Sequence, residues 1–382
     1  MVVWRRSWVT ILAAVFALAL VLAGCGGSKS GSNGNSDGGT GSTSSTGNSA
    51  QSSSSSGGQQ AEQPAEQPEK SGEEEASGEP EKQYYVAMVT DLGGVNDNSF
   101  NQSAWEGLQA FGAEFGAKVD YLQSQSDADY VPNLNQFVKG GADLTWGIGF
   151  LMGDAVKQVA DQNPDAKLAI IDATVDAPNV ASVTFKEHEG SFLVGVVAGL
   201  MTKTNKIGFV GGMELPVIKK FEIGFIAGVK AVNPDAEVIV DYTGAFDAPD
   251  QGKASAATLY NNGADIIFHA AGATGDGVFN EGSERKKAGN DVWVIGVDKD
   301  QSVTFGHEIT LTSMMKRVDQ AVARVSADVV NGTFTPGVIE LGLAESGVGL
   351  PENNPNVPED VLSKVKEFEQ KIVSGEIVVP FE

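Results

Sequence analysis

The sequence predicts an α/β protein of two lobes, each a parallel sheet covered by helices on both faces. Three observations carry this. Short apolar, β-branched runs alternate with stretches of helical spacing; the alternation starts afresh part-way along; and the roughly 300 residues involved are more than one core comfortably fills. In the first block, 84–90, 118–123, 143–150, 167–172 and 182–185 read as strands. Between them, 100–115 sets Phe100, Trp105, Leu108, Phe111 and Phe115 mostly on one helix face, and 130–139 and 153–162 behave similarly. The second block has strands at 206–211, 237–242, 265–270 and 291–298, with helices at 221–232, 251–262 and 277–287. The apolar helix at 187–201 opens it, after the chain crosses between lobes.

The first 25 residues read as an export signal. Arg5 and Arg6 precede an apolar run, 11–22, that is too short and wrongly flanked for a stable membrane span. Leu22-Ala23-Gly24-Cys25 resembles the lipobox at which bacterial lipoproteins are cut, and Cys25 is the only cysteine. The expected product lacks residues 1–24 and is anchored on the extracytoplasmic face of the cell membrane by lipid, palmitate included, on Cys25. Residues 26–58 are almost entirely Gly, Ser, Asn and Thr, and an acidic stretch with Pro64, Pro68 and Pro80 follows. Such a composition buries no core, so 25–82 is expected to be a disordered tether with a reach on the order of 40 Å.

The formal net charge is −24, which argues against nucleic acid or anionic lipid as the main partner. A single cysteine excludes an internal disulfide framework. His188, His269 and His307 share no ligand spacing, and no Gly-x-Ser-x-Gly elbow is present. No metal, no cofactor and no enzymatic activity are expected. Asp298 and Asp300 could serve as acid and base, but a binding cleft uses the same residues.

Parallel sheets bind ligands beyond the carboxyl ends of their strands, so the residues standing there matter most. After the first strand comes Asp91-Leu92-Gly93-Gly94-Val95-Asn96-Asp97-Asn98-Ser99-Phe100-Asn101; Phe150 follows the third and Asp172 the fourth. In the second block the corresponding places hold Gly211-Gly212 with Pro216 and Phe221, then Gly272, Asp298 and, further on, Lys316. Each residue alone suits a turn, a helix cap or the core equally well. Six strand ends offering carboxylates, amides, aromatics and one lysine suggest a ligand cleft. The glycines of 272–277 could suggest a phosphate cradle, but Asp276 and the lack of a Gly-Lys-Ser/Thr argue against a nucleotide.

The segment 91–107, the run Phe209-Val210-Gly211-Gly212-Met213-Glu214-Leu215-Pro216 with Lys219-Lys220-Phe221-Glu222, and Gly296-Val297-Asp298 resemble the basic membrane protein family of bacterial substrate-binding lipoproteins. That family includes the purine nucleoside receptors of ABC transporters, and the resemblance runs from about residue 83 to the C-terminus. It implies a type I periplasmic-binding-protein fold: two Rossmann-like lobes joined by three hinge strands, with the ligand between them. The lobes would be 83–186 with about 300–328, and 187–299 with about 329–382. It further implies a monomer that captures a nucleoside and delivers it to a membrane permease. The alternatives are a lipoprotein that senses its ligand for a membrane partner, and a site for another small solute such as a sugar. In the resemblance, Asp298 and Lys316 face the ribose, Phe221 stacks on the base, and Asp91, Asn101 and Asp172 are candidates for the base edge or the cleft lining. Asn96, Phe100, Phe150 and Gly272 complete the expected ligand set. Some nucleoside receptors carry an aromatic where this chain has Val95, so the second ring is Phe100 or Phe150, or else the base is held on one side only.

Overall fold

Two six-stranded sheets organise residues 82–382, the part of the chain described by the computed structural model. The signal sequence, Cys25 and all of the tether but Lys82 lie outside the described residues. The first lobe runs β1 (Tyr85–Thr90), α1 (Phe100–Phe115), β2 (Lys118–Gln123), α2 (Tyr130–Lys139), β3 (Leu144–Ile148), α3 (Gly153–Gln162), β4 (Leu168–Ile171) and β5 (Val180–Phe185). The second follows with α4 (Glu187–Met201), β6 (Lys206–Gly211), α5 (Pro216–Val232), β7 (Glu237–Tyr242), α6 (Pro249–Asn261), β8 (Ile266–Ala270), α7 (Thr274–Lys287), β9 (Trp293–Asp298), α8 (Ser302–Phe305) and β10 (Thr310–Lys316). The chain closes with α9 (Val318–Val330), β11 (Gly337–Leu341), β12 (Val348–Gly349) and α10 (Glu359–Val373).

Strand order is β11-β5-β4-β3-β1-β2 in the first sheet and β12-β10-β9-β8-β6-β7 in the second. All pairings are parallel except β12 with β10. The two orders match position for position, so the expected tandem of two α/β lobes is the observed architecture. Central strands such as β3, β4 and β8 are buried along their whole length, as parallel strands sandwiched by helices must be.

The chain crosses between lobes three times: from β5 to α4, from β10 to α9 and from β11 to β12. These crossings fall differently from the sequence reading, which put about 300–328 in the first lobe and about 329–382 in the second. β10 pairs with β9 in the second sheet, and β11 pairs with β5 in the first. The first lobe therefore regains the chain only at α9, which is tied to it by Trp146 Nε1 donating to Ser326 Oγ at 3.1 Å. A short apolar run carries no mark of which sheet edge it will join.

Helix α1 shows how local chemistry aims the site. Asp97 caps it from outside: its carboxylate accepts from the backbone N–H of Ser99, Asn101 and Gln102 at 3.0, 2.9 and 3.0 Å. Gly116 ends it in a left-handed conformation. Helix α5 starts at Pro216, earlier than periodicity suggested, because proline suits a first helical turn. α7 likewise starts at Thr274, so Gly275 and Gly277 belong to a helix and not to a loop.

Helices α4 and α5 pack backbone against backbone. A Cβ at Gly228 would lie 2.0 Å from the carbonyl oxygen of Phe192, so no side chain fits there. Gly228→Ala is expected to destabilise the protein by about 1–3 kcal/mol through overpacking. The check is a lower midpoint with unchanged slope in urea unfolding followed by circular dichroism.

Candidate functional site

A cleft of about 610 Å³, measured out to its mouth, lies between the two lobes. Each polar side chain bordering it stands at the carboxyl end of a strand or in the helix turn that follows. Asp91 comes after β1, with Asp97 and Asn101 at the start of α1; Asp172 comes after β4; Asp298 ends β9 and Lys316 ends β10. Four phenyl rings share the wall: Phe100 and Phe150 from the first lobe, Phe221 and Phe246 from the second.

Nine of the ten expected ligand residues border this cleft: Asp91, Phe100, Asn101, Phe150, Asp172, Phe221, Gly272, Asp298 and Lys316. Asn96 does not. It is exposed, and its neighbour Asp97 is the buried one, turned inward to cap α1. Val95 is buried in the hydrophobic core and leaves the cleft to other side chains. The sequence reading also missed Phe246, which sits in the loop after β7 outside any periodic pattern. A signal for it existed in Gly212: a Cβ there would fall 2.3 Å from the Phe246 ring, so the glycine makes room for that ring. Phe221 is both core and cleft wall, 3% exposed and packed near Phe268.

The hydrogen bonds fix which polar atoms face inward. The Asn101 amide nitrogen donates to Asp91 Oδ1 at 2.8 Å and Asp97 Oδ2 at 3.1 Å, so its nitrogen faces two carboxylates and its oxygen stays free. Asn101 Oδ1 and Asp172 Oδ1 are both buried without a partner. Lys316 Nζ donates to Asp172 Oδ2 at 2.6 Å and lies 3.0 Å from Glu187 Oε1. Asp298 accepts from the Ser99 hydroxyl of the opposite lobe. Lys316 and Asp298, expected to face one ligand group together, thus engage separate partners while both border the cleft.

A family model described as "Bmp: ABC transporter substrate-binding protein PnrA-like" matches residues 84–382. The chain belongs to this family. Bmp proteins are solute-binding components of ABC transporters; they act outside the cytoplasm and catalyse no reaction. The CD4+ T-cell-stimulating antigen of Listeria innocua is 51% identical over 328 residues, covering 81% of this chain and 91% of its own. An ABC transporter nucleoside-binding protein, BmpA of Lactococcus lactis, is 39% identical over 322 residues, covering 80% and 91%. A solved ABC transporter solute-binding protein from Aeropyrum pernix aligns with a TM-score of 0.72 at 33% identity, covering 78% of this chain and 94% of that one. The fold is accordingly the type I periplasmic-binding-protein fold.

The cleft of this Bmp protein gathers acids around one cation. Burial raises Asp298 to about 7, against the opposing pull of Lys316 and the Ser99 hydroxyl. Burial likewise raises Asp172 to about 6, with Lys316 opposing, and Asp91 to about 6, with Asn101 and the Gly93 N–H opposing. For Lys316 burial works to lower the pKa, but Asp172, Glu187 and Asp298 outweigh it and hold the ammonium above its ordinary value. The faces of Phe100, Phe185 and Phe221 lie 5.2, 5.1 and 5.5 Å from Nζ, adding cation–π attraction.

Removing the cation strands these acids in an apolar wall. Lys316→Met is expected to destabilise the protein by about 3–5 kcal/mol at neutral pH. Asp172 and Asp298 have folded pKa values above their unfolded ones, so their stabilisation is complete at acid pH and lost as pH rises through about 6 and 7. Without the ammonium that loss deepens. The deficit of Lys316→Met should therefore be larger at pH 8 than at pH 5, measured by urea unfolding at both.

Proposed function

We propose that this protein captures a purine ribonucleoside between its lobes and delivers it to a membrane permease for uptake. The carrying observation is the chemistry of the cleft wall: free polar atoms that accept hydrogen bonds, between rings contributed by both lobes. Asn101 Oδ1 and Asp172 Oδ1 lack donors, and the Lys316 ammonium is already held by two carboxylates. A ligand that fits must therefore bring O–H and N–H groups and a flat apolar body. A ribose diol donates to a carboxylate such as Asp298, a purine stacks on phenyl faces, and its edge donates to Asp91 and Asn101. A phosphate would bring more negative charge to a wall that already carries Asp91, Asp97, Asp172 and Asp298. The nucleoside-binding protein of Lactococcus lactis, 39% identical, supports the same ligand class.

A thermal-shift panel on the full-length protein in detergent tests this reading. Guanosine, inosine and adenosine should raise the melting temperature by mass action, while their 5′-monophosphates, ribose and arabinose should not. A shift with sugars alone would overturn the nucleoside and leave the fold untouched. The 2′-deoxynucleoside should bind about 10-fold or more weakly, for loss of a charge-assisted hydrogen bond. Donation to Asp298 favours its charged form, so affinity should fall as pH drops through about 7, with proton release on binding near neutrality. Titration calorimetry in buffers of different ionisation enthalpy reads that release.

The same proposal places the folded domain at the membrane through lipid on Cys25. Cells given labelled palmitate should label the wild-type protein and fail to label Cys25→Ser.

A further inference from the structure

Three hydrogen bonds join the lobes at one dipeptide. Asn98 Nδ2 donates to Asp276 Oδ2 at 2.9 Å, Gln301 Nε2 donates to the Asn98 carbonyl at 3.0 Å, and Ser99 Oγ donates to Asp298. Asn98 and Ser99 belong to the first lobe; Asp276, Asp298 and Gln301 belong to the second. Asn98 adopts a left-handed conformation, φ 52°, which asparagine tolerates better than most residues. In that conformation its side chain and its carbonyl both engage the opposite lobe.

Gln301 is held for this contact. It is 1% exposed. Its Oε1 accepts from the Val297 N–H at 2.9 Å and faces His269 Nε2 at 2.9 Å, while its own N–H donates to Ser313 Oγ at 3.1 Å. A backbone N–H at Oε1 leaves only the amide nitrogen to face Asn98. Burial lowers His269 to about 4, so the ring is neutral and donates from Nε2. Asn98, Ser99, Asp276 and Gln301 do not border the cleft, whereas Asp298, next to Val297, does.

We propose that Asn98, Asp276 and Gln301 form a clasp that holds the lobes closed and, through Ser99 and Val297, sets Asp298 toward the ligand. They are positioning residues, and the clasp rests on the ligand cleft proposed above. It gives Asp298 two tasks: the carboxylate borders the cleft and also takes a bond from the opposite lobe, so closure and ligand grip share it. Loosening the clasp lowers the fraction of closed protein and so lowers apparent affinity without touching a ligand contact.

The test compares wild type with Asn98→Gly, Asp276→Ala, their double variant and Gln301→Glu, all as full-length protein in detergent. Glycine keeps the left-handed backbone and the carbonyl, and glutamate keeps the acceptor that Val297 and His269 use. With inosine as probe in stopped-flow fluorescence, each single variant should release ligand roughly three- to tenfold faster, with association little changed. The double variant should be no faster than the worse single one, because both remove the same bond. Unchanged release, or additive effects of Asn98→Gly and Asp276→Ala, would overturn the clasp. Hydrogen exchange of ligand-free protein decides the matter independently of any ligand. Faster exchange in peptides spanning 97–102 and 297–302 in the variants supports the clasp, and identical exchange refutes it. Should inosine fail to bind wild type, the nucleoside reading falls and the exchange result still rules on the clasp.

Discussion

The buried ammonium of Lys316 is the interaction on which the rest depends. It ends β10, just before the chain leaves the second lobe, and its strand is paired there with β12, where the chain returns. One of its partners, Asp172, belongs to the first lobe; the other, Glu187, begins α4 at the first crossing. Lys220 Nζ lies 3.5 Å from the same Glu187 and 3.3 Å from the Phe185 carbonyl, the last residue of β5. Lys316 thus connects the cleft wall with all three crossings: its ammonium reaches Glu187 at the first, and its backbone ends β10 at the second and pairs with β12 at the third. Desolvating these charges is expensive, and such a cluster is a weak source of net stability. What it supplies is geometry: the acids can stay buried and charged only while the ammonium is centred among them.

The matching strand orders place equivalent devices on the two lobes. β4 and β9 occupy the same position in their sheets, and each leads into an aspartate with positive φ, Asp172 at 71° and Asp298 at 64°. A left-handed aspartate costs on the order of 1 kcal/mol, and aspartate is one of the few residues that accepts it. Each lobe therefore ends an equivalent strand with a carboxylate in the cleft wall. Both acids come under the influence of Lys316, yet their remaining bonds differ: Asp172 keeps one oxygen without a partner, and Asp298 is claimed by the opposite lobe. Both acids thus bond across the lobes, Asp172 to the Lys316 ammonium and Asp298 to the Ser99 hydroxyl, and only Asp172 keeps an oxygen without a partner.

Much of this was readable from the sequence because it is local. Apolar runs mark strands, parallel sheets put function at their carboxyl ends, and so Asp91, Asp172, Phe150, Asp298 and Lys316 could be found by position alone. Failures begin where a residue's fate is tertiary. Asn96 and Asp97 are adjacent and chemically alike, and only the capping geometry of α1 decides which turns inward; the spacing of Asp97 to Ser99 and Asn101 was the clue. Glu187 reads as an ordinary acidic first-turn residue, yet it is 1% exposed because Lys316 and Lys220 meet it there. The assignment of β10 and β11 to opposite sheets depends on long-range pairing that no local run encodes.

Val95 sharpens the same lesson about rings. An aromatic in the first glycine loop would supply a stacking face from that side, and here the position is aliphatic and 5% exposed, part of the core. The cleft is not short of rings for that reason. Phe100 stands at the first residue of α1 in the first lobe, and Phe246 enters from the other lobe over Gly212. A flat ligand between the lobes would thus meet phenyl rings from both sides without help from position 95. The fold supplies a ring on each wall, and it does so from more than one point of the chain. A missing aromatic at one motif position therefore says little until the opposite lobe has been inspected.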